Sequence, residues 1–138
     1  MENETRIRNS FARQGMMQTL DARMDHVTPG QVTISVQLGP RVSQQQGFAH
    51  GALAFAIGDS AAGYAALSLL DADSEVVTSE MGIHYLAPGT GQRLIARGSV
   101  LKPGKRLLVA QADVFAVDGD METLVARLTG SLIVVPVV

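Results

Sequence analysis

The chain of 138 residues contains no cysteine, which excludes disulfide bonds, thiolate metal sites and a cysteine nucleophile. Histidine is scarce as well: His26, His50 and His84 form no pair at helical spacing, so a zinc site is not expected. The charge is nearly balanced, with 11 basic against 13 acidic side chains and a net charge of −2 at pH 7. It gives no electrostatic reason to expect nucleic acid or an anionic membrane as a partner.

Targeting signals are not evident in the sequence. Residues 1–6 are polar and no apolar core follows them, so we expect no signal peptide. Residues 51–70 approach the length of a membrane span, but they are rich in alanine and glycine and carry Asp59 near their middle. This composition favours a buried helix over a transmembrane one, and a cytoplasmic location is expected by default. The length and the 46% hydrophobic content indicate one domain over residues 1–138.

Hydrophobic patterning predicts one long helix among strands. Residues 51–69 are apolar on nearly every side, which is typical of a helix surrounded by protein. A short amphipathic helix is predicted over 4–15, ending at Gly15. Alternation predicts six strands, with two regular faces along the third; they cover residues 20–27, 32–38, 75–86, 92–101, 106–117 and 122–134. Turn signals between most strands favour an antiparallel sheet, so the expected fold class is α+β, with one helix against a six-stranded sheet.

Asp59 is the most informative side chain. Between Arg41 and Asp71 it is the only acidic or basic residue apart from His50. A lone carboxylate among apolar neighbours costs free energy unless it is paired or used in chemistry. Asp59 is therefore a catalytic candidate, with a structural carboxylate that caps a neighbouring backbone as the alternative.

The motifs around this residue resemble a known family. Gly47-Phe48-Ala49-His50-Gly51-Ala52, followed by Asp59 nine residues after His50, resembles the signature of the PaaI-like acyl-CoA thioesterases, which have the hotdog fold. The run Met81-Gly82-Ile83-His84-Tyr85-Leu86-Ala87-Pro88 resembles the third strand of that family. The resemblance implies an antiparallel sheet wrapped around the helix, and an enzyme that hydrolyses acyl-CoA to free CoA and a carboxylic acid without a metal or redox cofactor. The sequence departs from the family pattern at three positions, which carry Gln44 for Asn, Ala52 for Gly and Ala87 for Arg.

Each candidate residue has a proposed role and a structural alternative. Gly51 begins the helix, so its N–H is a candidate to polarise the thioester carbonyl. Asp59 would act as nucleophile or general base. Gln44 either orients the substrate or lies in a solvated loop, and Thr78 either places the water or is an ordinary strand residue. The candidate substrate-binding residues are His50, Gly47, Ala52 and Gly82, although His50 is better explained as a helix cap. Lys105 and Arg106, beside the Pro103-Gly104 turn, are candidates to bind the CoA phosphates, with a solvated turn as the alternative.

The spacing of Gly51 and Asp59 predicts a shared site. Eight residues at about 1.5 Å per residue separate them by roughly 12 Å along the helix, whereas reacting atoms must approach to about 3–3.5 Å. Two antiparallel helices from two subunits would bring Gly51 of one to Asp59 of the other, so a homodimer is required, and the resemblance implies a homotetramer. The alternatives are a non-catalytic acyl-CoA-binding hotdog protein and a hotdog dehydratase, although the His–Asp pair of a dehydratase is not found.

Overall fold

A computed structural model describes residues 2–137 and contains three helices, a short 3-10 helix and six strands. In chain order they are α1 (Glu2–Ala12), α2 (Gly15–Thr19), β1 (Arg23–Thr28), β2 (Gln31–Gln37), the 3-10 turn Pro40–Val42, α3 (Gly51–Leu67), β3 (Ser74–Tyr85), β4 (Arg93–Lys102), β5 (Leu107–Asp118) and β6 (Met121–Pro136). No helix within residues 2–137 has the length and hydropathy that crossing a bilayer requires.

The six strands form one antiparallel sheet in the order β1-β2-β4-β5-β6-β3. The sheet curves around α3, which packs against β2, β3, β4, β5 and β6. This is the α+β hotdog architecture that the sequence predicted. The order leaves β1 and β3 as the two edge strands, although β3 is third in the chain, because β3 pairs with β6 rather than with β4.

Small residues allow α3 to lie close to the sheet. Ala61 and Ala62 on the helix are fully buried, and they face Gly98 on β4. A Cβ atom at Gly98 would lie 2.3 Å from the carbonyl oxygen of Ala61. The backbones of α3 and β4 are therefore in contact at this crossing, and a residue larger than glycine at position 98 would force them apart.

The first turn of the chain differs from the prediction. Gly15 does not end the first helix; α1 ends at Ala12 and Gly15 begins α2. The predicted strand over 20–27 begins only at Arg23. The cause is Met17 of α2, which is 2% exposed and anchors this short helix in the core. Local alternation over residues 20–22 therefore belonged to a turn rather than to a strand.

The third strand also departs from strict alternation. The register of β3 against β6 shifts between Thr78 and Glu80, so Ser79 is an extra residue in a β-bulge. Thr78 lies on the α3 side before the bulge, whereas Met81, three residues on, packs against the core after it. The predicted pair of regular faces is therefore wrong beyond Thr78, because one inserted residue reverses the pattern that follows it.

The contact at Gly98 gives a prediction about stability. Gly98→Ala should lower the free energy of unfolding by about 1–3 kcal/mol or more, because α3 must move away from β4. The measurement is equilibrium unfolding in urea. Gly39→Ala, just after β2, is the matched control, since its new Cβ would have no neighbour within 4 Å and its φ of 175° is one that any residue adopts. Equal stability of the two variants would show that the close crossing does not limit the fold.

Candidate active site

Asp59 projects from the middle of α3 towards the edge strand β3. The Oγ1 of Thr78 donates a hydrogen bond of 2.8 Å to its Oδ1. Burial raises the pKa of the Asp59 carboxyl above its ordinary value of 3.8, and the hydrogen bond from Thr78 offsets part of that rise. The carboxylate is thus held in one orientation and made more basic than an exposed aspartate.

The second carboxylate oxygen, Oδ2, has no hydrogen-bond partner among residues 2–137. Asp59 and Thr78 line a cavity of about 350 Å³, which we call the Asp59 cavity. Its other walls come from α1 and the residues after it, α3, the start of β3 and β6, and they include Ser10, Gln14, Ser60, Gly63, Tyr64, Leu67, Glu75, Val76 and Leu132. A base or nucleophile with one oxygen anchored and the other free suits proton transfer or attack on a carbonyl carbon.

The N-terminus of α3 presents one N–H group for a ligand. His50 is the N-cap, and its Nδ1 accepts a hydrogen bond of 2.9 Å from the N–H of Ala52, while its carbonyl accepts from Leu53 at 2.9 Å. This geometry supports the interpretation of His50 as a cap. The N–H of Gly51 has no acceptor within residues 2–137, so it remains available at the positive end of the helix dipole.

Tyr85 lies against Gly51. Its hydroxyl donates a hydrogen bond of 2.8 Å to the carbonyl oxygen of Gly51, and a Cβ atom at Gly51 would lie 3.1 Å from the ring. Both residues line a second cavity of about 450 Å³, the Gly51 cavity, together with the 44–50 loop and residues 86–89. Gly51 and Asp59 therefore line different cavities within one subunit.

The side chain of Gln44 folds back into its own loop. Its Oε1 accepts hydrogen bonds from the N–H of Gln46 at 2.5 Å and of Phe48 at 3.2 Å. Gln44 lines the Gly51 cavity, but its amide oxygen already serves the loop. Gly47 adopts a φ of +87° in the same loop, a conformation that favours glycine. Both residues shape the entrance to α3.

The remaining candidates are dispersed. Ala52 is exposed and lines a smaller apolar recess of about 240 Å³ beside α2. Gly82 lies in the middle of the edge strand β3, and Lys105 and Arg106 are exposed in the turn between β4 and β5. None of these four residues lines the Asp59 or the Gly51 cavity.

The sequence did not single out several residues that shape the two cavities. Ser10, Gln14, Tyr64 and Glu75 line the Asp59 cavity, and Tyr85 covers Gly51. Ser10 and Gln14 are four residues apart, so a helical pattern continued through this region would have placed them on one face. Nothing local to the sequence indicated that this face meets Tyr64.

Metal ligands are not clustered in the described part of the chain. Within residues 2–137 no group of three His, Asp or Glu side chains is placed to hold a metal ion. In the Asp59 cavity the carboxylate of Asp59 is accompanied by the hydroxyl of Thr78.

Comparison with known proteins identifies relatives over nearly the whole chain. A thioesterase family protein from Silicibacter pomeroyi is 37% identical, and the match covers 98% of this chain and 99% of that one, with a TM-score of 0.95. The PaaI protein of the phenylacetic acid degradation operon of E. coli shares the fold at 19% identity, with a TM-score of 0.85 and coverage of 96% and 93%. A thioesterase from Haemophilus influenzae shares it at 18% identity, with a TM-score of 0.84 and coverage of 93% and 87%.

The sequence model of the thioesterase superfamily matches residues 46–135, which include α3 with Gly51 and Asp59 and all of β3 to β5. This match spans more than half of the chain and agrees with the 37% identical structure. The chain belongs to the thioesterase superfamily and is an enzyme that hydrolyses thioesters.

Proposed function

We propose that the protein is an acyl-CoA thioesterase in which Asp59 and the N–H of Gly51 act on one thioester across a dimer interface. The observation that carries this proposal is a pair of unused groups: the free Oδ2 of Asp59 and the free N–H of Gly51, each facing a cavity. A hydrolase of this kind needs a polarised carbonyl and an activated attacking oxygen, and these two groups supply them.

The chemistry follows from the two groups. The N–H of Gly51 donates to the thioester carbonyl oxygen and stabilises the negative charge that develops there. Oδ2 of Asp59 either removes a proton from a water molecule that attacks the carbonyl carbon, or attacks that carbon itself to form an anhydride that water then opens. The C–S bond breaks, the CoA sulfur takes up a proton, and the acid is released. We propose that neither a metal nor a redox cofactor takes part, since no electron is transferred.

Distance along α3 supports a site made by two subunits. Gly51 and Asp59 are separated by roughly 12 Å of helix and line different cavities, so one subunit supplies only one of the two groups to a given thioester. The edge strand β3 connects them, because Thr78 contacts Asp59 and Tyr85 contacts Gly51. A partner that pairs along β3 in the antiparallel sense would bring the two ends together.

The register of that pairing can be inferred. If two copies of β3 pair antiparallel about a two-fold axis at Gly82, with Ser79 bulged out of this ladder as it is out of the ladder with β6, Tyr85 of one subunit lies opposite the partner's Thr78. Gly51 would then approach the partner's Asp59. The edge of β3 supports this interface, since Val77 and Tyr85 are 55% and 56% exposed there, and a long edge strand that exposes apolar side chains usually has a partner.

The other edge strand is a weaker candidate for this interface. β1 has only 6 residues, carries a bulge between Met24 and His26, and exposes Arg23 and Asp25. A bulge and an exposed charge are present on β3 as well, so the choice between the edges depends on length and position: β3 has 12 residues and contacts both Asp59 and Gly51. We therefore assign the two-fold contact to β3. A tetramer, contacts of Lys105 and Arg106 with CoA phosphates, and a cytoplasmic location stay predictions from the sequence.

Substitution of Asp59 should separate activity from stability. Asp59→Asn should abolish thiol release from a panel of aliphatic and aromatic acyl-CoAs. The folded pKa of Asp59 is raised, so its contribution to stability is present below 3.8 and is lost as the pH rises through the folded value. Asp59→Asn should therefore unfold at a higher temperature than the wild type at pH 7, and the gain should vanish near pH 3.8.

The control for this pair of measurements is Asp25→Asn on β1, where the carboxylate is exposed; activity and melting temperature should not change. Full activity of Asp59→Asn would contradict the proposed chemistry. Tight binding of acyl-CoA by the wild type without thiol release would instead favour the binding protein.

The hydrogen bond from Thr78 should set the acid limit of the reaction. Thr78→Val removes the interaction that lowers the pKa of Asp59, so that pKa should rise further. Because activity requires the ionised carboxylate, the acid limb of log kcat/KM against pH should move to higher pH. Thr33→Val on β2, on the far side of the sheet, should leave the profile unchanged. An unshifted acid limb in Thr78→Val would mean that Asp59 does not control it.

Gly51 allows a direct test of the N–H donor. Gly51→Pro removes the N–H at the first helical position, where proline is tolerated, and the ψ of 138° at His50 suits a residue that precedes proline. Gly51→Ala is the matched control, because it adds the same contact with Tyr85 and keeps the N–H. We expect a loss of about 10²–10³-fold in kcat for Gly51→Pro and a far smaller loss for Gly51→Ala.

Mixing two inactive variants tests whether the site is shared. In heterodimers of Gly51→Pro and Asp59→Asn, one of the two sites combines an unaltered Gly51 with an unaltered Asp59. Random pairing of equal amounts should therefore restore about a quarter of the wild-type activity. No recovery after subunit exchange, or full activity in a monomer at sedimentation equilibrium, would rule out the shared site.

A further inference from the structure

We propose that the Asp59 cavity selects an acyl chain whose far end carries a neutral hydroxyl group, and that Tyr64 and Ser10 determine this preference. The inference rests on the proposed function, because it concerns the acyl group of the same thioester. It starts from the polar groups that α3 and the N-terminal helix α1 place in the cavity.

Tyr64 carries the principal polar group of this wall. It is 7% exposed, and its hydroxyl lies 3.0 Å from the Oγ of Ser10 and accepts a hydrogen bond of 2.9 Å from the Nε2 of Gln14. The ring is held by an edge-to-face contact with Phe11, with ring centroids 6.1 Å apart. The hydroxyl is therefore fixed in position before any ligand binds.

A count of protons shows that this cluster has a donor to spare. The hydroxyls of Tyr64 and Ser10 have two protons between them, and their mutual hydrogen bond uses one. Gln14 acts as a donor to Tyr64 and takes neither proton. Among residues 2–137 no other side chain or carbonyl accepts the second proton. One hydroxyl proton is therefore available to a ligand in the cavity, whichever way the pair is oriented.

An acidic group also lines this space, the carboxylate of Asp59. A ligand hydroxyl fits the cavity because it is a neutral group that accepts from the Tyr64–Ser10 pair. A methyl terminus would leave that donor without a partner, and a carboxylate terminus would be repelled by the like charge of Asp59. The expected order of preference is therefore hydroxyl, then methyl, then carboxylate.

The depth of the cavity depends on Gly63. This residue lies one turn beyond Asp59 on α3 and lines the cavity. A Cβ atom there would have no neighbour closer than the Cδ2 of Leu132, at 3.6 Å. An added methyl group would consequently occupy the space that the acyl chain takes without disturbing the fold, and alanine is a better helix former than glycine.

The experiment compares matched acyl-CoAs of four to eight carbons that end in a methyl, a hydroxyl or a carboxylate, with kcat/KM measured by thiol release. At the best length we expect the ω-hydroxyacyl-CoA to exceed the alkyl one by roughly fivefold, the effect of one neutral hydrogen bond, and the ω-carboxyacyl-CoA to be the poorest substrate. Tyr64→Phe combined with Ser10→Ala, which removes both hydroxyl protons, should reduce the hydroxyl-to-methyl ratio to about one.

Two variants separate a specific effect from a general loss of activity. Gly63→Ala should retain the fold and shift the optimum to a shorter chain. Ser99→Ala, on the face of β4 away from α3, is the control for Ser10→Ala and should change no ratio. A second measurement uses the Asp59→Asn variant and calorimetry, in which the ω-hydroxyacyl-CoA should bind more tightly than the alkyl-CoA.

The outcomes distinguish this inference from the proposed function. If the acyl-CoAs are hydrolysed but hydroxyl and methyl termini give equal kcat/KM in the wild type and in the variant that combines Tyr64→Phe with Ser10→Ala, the selection is overturned and the thioesterase stands. If no acyl-CoA in the series is hydrolysed and none binds Asp59→Asn with the expected preference, both are overturned. Preference for the carboxylate terminus would overturn the selection of a neutral group.

Discussion

The hydrogen bond between Thr78 and Asp59 connects the two elements on which the rest of the molecule depends. One partner lies on the central helix and the other on the edge strand. An aspartate in the middle of an apolar helix is costly in free energy, and the raised pKa of its carboxyl reflects that cost. A single hydrogen bond reduces the cost without neutralising the charge, so a basic oxygen stays available beside a cavity. Stability is given up at the position where a reactive group is required.

Helix geometry then determines how the enzyme must be assembled. A helix provides an anion-stabilising N–H only in its first turn, because later N–H groups are bonded within the helix. Asp59 lies too far along α3 to share a substrate carbonyl with that turn. Two antiparallel helices solve the problem, and β3, with its exposed edge beside both groups, is the element through which two subunits can align them.

Much of this arrangement could be predicted from the sequence, for physical reasons that hold within a short stretch. Alternation in β2 and the apolar run of α3 report which faces are buried, and the isolation of Asp59 marks it as unusual. The bulge at Ser79 could not be predicted, because one extra residue leaves no local mark but reverses the pattern after it. The role of Gln44 could not be decided either, since its amide oxygen is taken up by the neighbouring N–H groups of Gln46 and Phe48. The strand order was also out of reach, because pairing of β3 with β6 depends on residues about fifty positions apart.

The residues that line the Asp59 cavity fall into two groups, those that take part in the reaction and those that select the acyl group. Asp59 and Thr78 come from the elements that carry the fold, so replacing them alters the reaction itself. Ser10 lies on α1 and Gln14 just after it, in a segment that is anchored by the fully buried Ile7 and by contacts of Arg6 with the carbonyls of Leu70 and Ser74. A change at Ser10 or Gln14 would alter which acyl group fits while leaving the carboxylate and the N–H in place. Substrate choice in this enzyme can therefore vary at these two positions at little cost to the core, because both side chains are only partly buried.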